Sequence, residues 1–432
     1  MREMKDSGVE WIGEIPKNWK VERLRYIIKD YKSGPFGSAL KMDGLLPDGN
    51  ILIYSPEHIT LHSSDSDKNL YLPDEREEEM SQFIVKENDI LFPIVGSLGK
   101  AMIITADMPK GIINQRVAKF QIDNTIVDQD YFMWLFAKSN FYQPYIDLSC
   151  RGSFIVNLTK AIINDMPCVI QPLAIQKKLS TYLDIKCSKI DEIIEKQQAI
   201  IEKLKEYKLS IITEAVTSGI NPDVEMKDSG SVWFGSIPTN WEMKRLKYVF
   251  HIQKDIVGEE GHTVLSITQR GIIPKDFSNN EGQFANSYAN YQLVHKGDFA
   301  MNHMDLLTGW VDISKYEGVT SPDYRVFVLN DKNGMCPEYY LYMMQMCYSA
   351  RIFYGLGQGV SGMGRWRLQA DKFLNFHIPI PPYDEQKIIA DYITDKVNHI
   401  EVEIDKRNKL VEKYQEYKKS LIYEVVTGKK EV

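Results

Sequence analysis

Two blocks of text recur within this 432-residue chain, and the recurrence limits its fold more than any other feature. Residues 4–19 read MKDSGVEWIGEIPKNW and residues 226–241 read MKDSGSVWFGSIPTNW, eleven of sixteen positions identical at an offset of 222. The likeness runs on weakly through Arg23/Arg245, Leu24/Leu246 and Tyr26/Tyr248. Further along, residues 203–217 (KLKEYKLSIITEAVT) and 413–427 (KYQEYKKSLIYEVVT) share nine of fifteen positions at an offset of 210. The offsets differ by twelve, so the intervening text is about twelve residues shorter in the second copy. A chain this long exceeds one compact core. The repeats divide it into head, long segment, head, long segment, and the heads differ from each other far more than their flanks do.

The long segments read as helices. Leu179, Leu183, Lys186, Ile190, Ile193, Gln197, Ile200, Leu204, Tyr207 and Ile211 follow 4,3 spacing, a heptad seam with two polar interruptions. Pro172 stands before this helix, and Gly219 with Pro222 stops it. Roughly 45 residues at about 1.5 Å each predict a rod of roughly 65–70 Å. The second helix follows Pro381 and Pro382 and carries Ile389, Ile393, Val397, Ile400, Ile404, Val411 and Tyr414, with a strongly polar middle at residues 405–408. Such helices expose an apolar stripe unless paired, so an antiparallel pair is expected. Mutual packing and docking of a partner are both compatible with that stripe.

Each head has about 165 residues, rich in Gly, Pro, Tyr and Asn, with short β-branched runs such as residues 50–54 and 324–328. These read as α+β with irregular loops. The expected divisions are a first head at 1–172, a helix at 173–218, a second head at 219–382, a helix at 383–428 and a tail at 429–432.

Composition excludes several classes. Apolar residues make up 44% and charged residues 26%, which rules out wholesale disorder. The net charge of −7 argues against a protein that coats nucleic acid by bulk charge. By segment the balance is −5, +1, −2, −2 and +1 in the order above, so no segment is basic. Cys150, Cys168, Cys187, Cys336 and Cys347 form no C-x-x-C pair, which fits reduced thiols and neither a disulfide scaffold nor a zinc site. No apolar stretch follows a basic one at the start, and no run of eighteen apolar residues occurs. The expectation is a cytoplasmic protein without a membrane partner.

Four fragments invite a catalytic or metal reading. Residues 353–357, FYGLG, have the F-x-G-x-G form of an S-adenosylmethionine loop, and 380–383, IPPY, echo the [DNS]-P-P-[YFW] motif of amino methyltransferases. That motif needs a polar first residue to accept from the target amine, and Ile380 offers none. The fragments also lie 27 residues apart, too close for a doubly wound fold. Residues 96–100, GSLGK, fall short of a phosphate loop, since Ala101 replaces the hydroxyl residue. His58 and His62 have helical ligand spacing without the adjacent Glu of a hydrolase. Neither a catalytic residue nor a metal site is expected, and this chain calls for no cofactor of its own.

What remains is recognition chemistry. Gly lets backbone approach phosphate, while Arg, Lys, Ser, Asn and Gln read base edges and phosphates. In the first head the candidates are Ser33, Phe36, Gly37, Ser38 and Lys41 in the loop SGPFGSALK, then Ser97, Lys100, Gln115, Arg116, Arg151 and Ser153. In the second head they are Gln269, Arg270, Asn302 and His303, with Gln358, Ser361, Arg365, Trp366 and Arg367 in the glycine-rich loop GLGQGVSGMGRWR. Candidate docking positions on the helices are Ile190, Ile193, Ile200, Ile400, Ile404 and Val411.

Taken in order over essentially the full chain, these pieces resemble the specificity subunit of a type I restriction-modification system. The likeness rests on the W-x-G-x-I-P-x-x-W text at Trp11 and Trp233 and on the loop at 33–41. It continues in residues 88–91, NDIL, where Asn replaces the family's Gly, in Gly297-Asp298 with Met301-Asn302, and in residues 318–324, GVTSPDY. The junctions Gln171-Pro172 with Gln176 and Pro381-Pro382 with Glu385-Gln386 complete it. The resemblance implies two target-recognition domains, each reading half of a bipartite double-stranded DNA target, and paired helices that set the spacing. It also implies two modification subunits carrying S-adenosylmethionine, and restriction subunits using ATP and Mg. A stand-alone two-headed adaptor for DNA or protein would share the same features, and an amino methyltransferase is the remote alternative.

Overall fold

The computed structural model describes residues 2–35, 39–41, 44–65, 68–96, 99–150, 157–277, 285, 287–360 and 365–432, with backbone only at Val360 and Arg365. Contacts divide the chain into two units, Met1–Gln197 with Lys409–Val432, and Gln198–Asn408. Each unit thus holds one head and half of each long helix. The contacts group the chain by where the helices pack, whereas the sequence divisions at 172, 218 and 382 follow the repeat.

The first unit carries β1 (Met4–Asp6), β2 (Glu14–Pro16), β3 (Lys20–Arg23), β4 (Ile28–Ser33), β5 (Ile51–Tyr54), α1 (Pro56–Leu61), β6 (Tyr71–Leu72), β7 (Ile90–Pro93), β8 (Met102–Ile103), β9 (Gly111–Ile113), β10 (Val117–Ile122), α2 (Gln129–Phe136), α3 (Gln143–Ser149), α4 (Lys160–Asp165), β11 (Pro167–Ile170) and the start of α5 (Leu173–Ser218). Its central sheet runs β4-β10-β7-β8, antiparallel throughout, and a smaller sheet runs β6-β5-β9. Strands β5, β7 and β11 are apolar and covered on both faces, with every residue buried. The core under the sheet is aromatic. Phe92 meets Phe120 at 5.2 Å and Phe136 at 5.3 Å, while Phe120 meets Phe132 at 5.8 Å. Helix α2 supplies two of these rings and is capped by Asp128, whose carboxylate accepts from the Tyr131 amide at 3.1 Å.

The second unit continues with β12 (Met226–Asp228), β13 (Ser236–Pro238), β14 (Glu242–Arg245), β15 (Phe250–Gln253), β16 (Leu265–Thr268), β17 (Gly271–Pro274), β18 (Gln292–Val294), β19 (Phe299–Met301), β20 (Val311–Ile313), β21 (Gly318–Thr320), β22 (Arg325–Leu329), α6 (Pro337–Ser349), α7 (Ile352–Leu356), β23 (Gln358–Val360), β24 (Arg365–Arg367), α8 (Ala370–Asn375), β25 (His377–Ile380) and α9 (Tyr383–Val426). Its central sheet, β15-β22-β19-β20, repeats the order of the first, and Phe250, Phe299 and Phe327 rebuild the aromatic core. Beside it the heads part company. The first has the three-stranded sheet with its parallel β5–β9 pair, and the second has the β16–β17 hairpin and the antiparallel pair β18–β21.

Register aligns the two central sheets position by position. Asp89 and Asp298 each accept from a backbone amide three residues earlier, at 2.9 and 2.8 Å. Counting on from them, Ala118 lies opposite Phe92 where Arg325 lies opposite Met301.

The long helices pair antiparallel, as their stripes require. In the first unit Leu179, Leu183, Cys187 and Ile190 of α5 share a core with Leu421, Ile422, Val425 and Val426 of α9, and Lys418 holds Asp191 at 2.6 Å. In the second, Ile201, Leu204 and Ile211 pack with Ile400 and Ile404, and Ile212 and Val216 with Ile389 and Ile393. The observed seam of α5 corrects the expected one. After Leu183 it takes an extra step of four to Cys187 and then runs through Ile190, Ile194 and Ile201, so Lys186 and Tyr207 face solvent. A straight helix of 3.6 residues per turn drifts against a strict heptad, and the extra step absorbs the drift. In α9 the polar middle is accommodated by Arg407, half-buried and paired with Glu403 at 2.8 Å.

Each helix is latched to its head at its start. Gln176, fully buried, accepts from the Asp128 amide at 2.8 Å and donates to the carbonyls of Ile126 at 3.0 Å and Gln171 at 2.7 Å. Gln386 repeats this with the Cys336 amide at 3.0 Å and the Pro381 carbonyl at 2.9 Å. Replacing either by Leu orphans buried backbone groups, at about 1–3 kcal/mol for each. The expected outcome is a lower urea midpoint for both Gln176→Leu and Gln386→Leu. An unchanged midpoint would show that the apolar seam alone holds the helix start.

Candidate nucleic-acid interface

In an antiparallel sheet, the end of one strand lies beside the start of the next. In the first head this gathers the segments around Ser33 and around Gln115 and Arg116 at one end of the central sheet. The Gly34 amide, just past Ser33, donates to the Val117 carbonyl at 2.9 Å, and the Ile94 amide donates to the Arg116 carbonyl at 2.9 Å. Val95 bridges to Asn157, and the Leu158 amide donates to the Ile94 carbonyl at 2.9 Å. Gly34 is required where the chain crosses this turn, since a Cβ there would stand 1.8 Å from the Asn114 carbonyl oxygen. Ser33, Gln115, Arg116, Lys100 and Lys41 are exposed. Phe36, Gly37, Ser38, Ser97, Arg151 and Ser153 lie outside the described residues.

The second head repeats the arrangement with different side chains. Asn302 and His303 follow β19, and the Leu368 amide donates to the His303 carbonyl at 3.0 Å, which brings Arg367 alongside. Gln269 and Arg270 sit exposed on the β16–β17 turn. That hairpin is held to the same region: Gln269 donates to the Thr308 carbonyl at 3.2 Å, and the Ile272 amide donates to Asp312 at 3.2 Å. Only Gly fits at 271, where φ is +104° and a Cβ would meet the Asp312 carboxylate at 2.4 Å. The side chain of Asn302 is taken up locally, its oxygen accepting from the Met304 and Asp305 amides at 3.2 Å. His303 is only 6% exposed and its Nδ1 has no hydrogen-bond partner. Burial first, then the nearby charges of Arg325 and Arg367, push its pKa down to about 3, so the ring is neutral at pH 7.

The stretch at 355–367, expected as one glycine-rich loop, instead completes α7 and then forms the β23–β24 ribbon, in which Gln358 faces Arg367. Alternation in Arg365-Trp366-Arg367 suits a strand and was hidden by the surrounding glycines. Trp366 is exposed and tilts against Tyr354 with ring centroids 5.0 Å apart, and Gln358 accepts from Gln369 at 2.8 Å. Ser361 lies outside the described residues, as does the Arg365 side chain.

On the helices, Ile190, Ile400, Ile404 and Val411 are buried in the chain's own packing, and Ile193 and Ile200 are half-buried beside the seam. The apolar side chains that stay exposed there are Ile185 and Tyr207 on α5 and Ile388, Tyr392, Val402, Leu410 and Tyr417 on α9. His58 serves a fold role: its Nδ1 accepts from the Ser55 amide at 3.0 Å, and its Nε2 meets the Asn69 oxygen at 2.9 Å. Among the described residues no group of three or more His, Cys, Asp or Glu could hold a metal ion, and no helix is long and apolar enough to cross a membrane.

Sequence reasoning passed over Arg325, which reads as an ordinary strand residue. Its signal lies in the register of the two heads, where a buried Arg replaces Ala118.

Known proteins share the text and the fold of this chain. Residues 17–211 and 238–413 match the family described as Type I restriction modification DNA specificity domain. A relative from Methanocaldococcus jannaschii, the type I restriction enzyme MjaVIII specificity subunit, is 25% identical across 96% of this chain and 93% of its own. The putative type I restriction enzyme MjaX specificity subunit of the same organism is 23% identical across 97% and 95%. Among solved structures, one described as the structural basis underlying complex assembly and conformational transition of the type I R-M system shares the fold. Its TM-score is 0.68 at 12% identity, over 95% of this chain and 98% of that one. The HsdS subunit from Thermoanaerobacter tengcongensis has a TM-score of 0.50 at 12% identity, over 96% and 98%. With both heads and most of both helices matched, the chain belongs to the type I restriction-modification DNA specificity family.

Proposed function

We propose that this chain is the DNA-reading subunit of a type I restriction-modification complex, with each head reading one half of a bipartite double-stranded target. The observation that carries this reading is a convergence that happens twice. Loops bearing Gly, Arg, Gln and Ser gather at the same end of the same sheet, in heads whose text otherwise differs. A common scaffold with different edges is what a reader of two unlike half-sites needs. The chain itself performs no chemistry in this proposal. Two modification subunits dock on the helices, using the apolar side chains left exposed there, and bring S-adenosylmethionine to methylate adenine. Restriction subunits bring ATP and Mg. The complex works in the cytoplasm, where its DNA lies.

Both heads are acidic, so the phosphate affinity of the assembly falls largely to the partners and to a few local cations. A stand-alone adaptor would purify without methylating partners, which separates the two readings. Mapping methylated adenines in the host genome with and without this chain tests the proposal directly. The expected result is one bipartite motif that disappears when the chain is deleted, and an unchanged methylation map would sink it.

The paired helices fix the spacing between half-sites in this reading. Inserting one heptad in each, near Gln197 and near Arg407, adds about 10 Å at about 1.5 Å per residue. At roughly 3.4 Å per base step the gap should lengthen by about three base pairs, with both half-sites unchanged. Methylation mapping of that variant reads the outcome, and an unaltered gap would remove the ruler role.

A further inference from the structure

The second head contains a cationic pocket whose most buried cation, Arg325, enters no ion pair among the described residues. The cavity measures about 380 Å³, and Gln253, Lys254, His303, Arg325, Arg367 and Gln369 line it. Arg325 is 5% exposed, yet no carboxylate among the described residues stands within 4.0 Å of it. Its guanidinium donates to the Leu368 carbonyl at 2.8 Å and lies 5.1 Å from the centre of the Phe373 ring. These contacts orient the charge without neutralising it. Burial pushes its pKa down to about 10, which leaves it charged at neutral pH.

A buried cation without a counter-charge is costly, and the first head shows the usual remedy. There Lys119, buried to a similar degree, is neutralised by Asp89 at 2.7 Å. In the second head the missing anion has a place to go. Beside Arg325 lies His303, neutral and more than nine-tenths buried, with an unpartnered ring nitrogen. Arg367 stands exposed at the same cavity, with Lys254 on another wall. Two guanidiniums, an ammonium and a neutral imidazole, without an acid among the lining residues, form the donor set of an anion site.

We infer that this pocket takes a single backbone phosphate of the half-site read by the second head, with Arg325 and Arg367 holding its oxygens and His303 facing it as a neutral group. The inference rests on the reading of the chain as a DNA reader. It adds a specific phosphate register, and it makes the heads unequal. The first head has a cavity at the equivalent place, about 400 Å³, lined by the ammoniums of Lys32 and Lys160 but without a buried guanidinium: Ala118, Ile94 and Asn157 occupy the positions of Arg325, His303 and Arg367. A phosphodiester is favoured over a free ion because the cavity opens where the candidate base-reading segments converge.

The test uses the full chain in complex with its modification partner and a duplex carrying the mapped target. Phosphates of both half-sites are replaced one at a time by uncharged methylphosphonate. In the wild type, one position in one half-site should lower affinity by about tenfold, the scale of a lost charge-assisted contact. Arg325→Ala and Arg367→Asn, which install the residues of the first head, should each remove most of that penalty while the other half-site is read normally. Should Arg325→Ala fail to fold, the exposed Arg367→Asn carries the test. A scan in which neither variant alters any methylphosphonate penalty overturns the inference. So does saturable binding of inorganic phosphate that is lost in the variants while the scan stays unchanged, because the pocket would then serve a free ion. If the wild-type complex shows no salt-dependent affinity for the duplex, the reading of the chain as a DNA reader falls, and the inference falls with it.

Discussion

The rest of the structure depends on covering the apolar stripes of two helices, one of 46 and one of 44 residues. Neither can stand alone in water. Each unit covers half of each stripe: the first head packs on the start of α5 and the end of α9, and the second on the end of α5 and the start of α9. Helix ends carry orphan carbonyls, which are costly when buried. A tyrosine in each head meets that need. The Tyr131 hydroxyl faces the carbonyls of Val169 and Val426 at 3.2 and 3.4 Å, and Tyr339 faces those of Pro379 and Val216 at 3.1 and 3.3 Å. The repeated tryptophans finish the joint. Trp19 packs where Gly428 turns out of α9, at φ +73°, and Trp241 packs where Gly219 turns out of α5, at φ +76°.

That arrangement explains the distribution of sequence likeness. Residues at the joints serve the same contacts twice and are therefore duplicated almost letter for letter. Residues at the sheet edge serve no joint, and there the heads diverge. The β16–β17 hairpin, latched through Asp312, lacks a counterpart hairpin in the first head, which pairs β5 with β6 and β9 instead. The scaffold is thus conserved within the chain by the demands of packing, while its edge is free to vary.

How much of this was legible in the text follows from the same division. Repeats, helices and the antiparallel pairing were legible because helix burial leaves a periodic mark. The α5 seam was legible at Leu179, Leu183, Ile190, Leu204 and Ile211, but a strict heptad misses Cys187, Ile194 and Ile201. The latching roles of Gln176 and Gln386 were not legible from one copy, since a buried Gln looks like any polar residue near a helix start. The pairing of 358–360 with 365–367 was obscured by the glycines around it. Arg325 was hidden for a different reason: its meaning lies in having no partner acid among the described residues, and absence in space leaves no trace in a single strand's text.

The net charge of −7 then takes on a local meaning. Exposed acids in the heads are screened beyond about 8–10 Å of salt solution and say little about a guanidinium buried in the wall of a pocket. A guanidinium in such a pocket faces an environment of lower dielectric, where one charge counts for more than several on the surface. A phosphate site built on one buried cation would let an acidic protein bind weakly to phosphate at large and strongly at one position. For a reader of sequence this is an advantage, since a basic surface would hold any duplex and dilute the difference between right and wrong sites. The acidity of the heads and an Arg325 that meets no acid among the described residues are, on this argument, two sides of one device for selectivity.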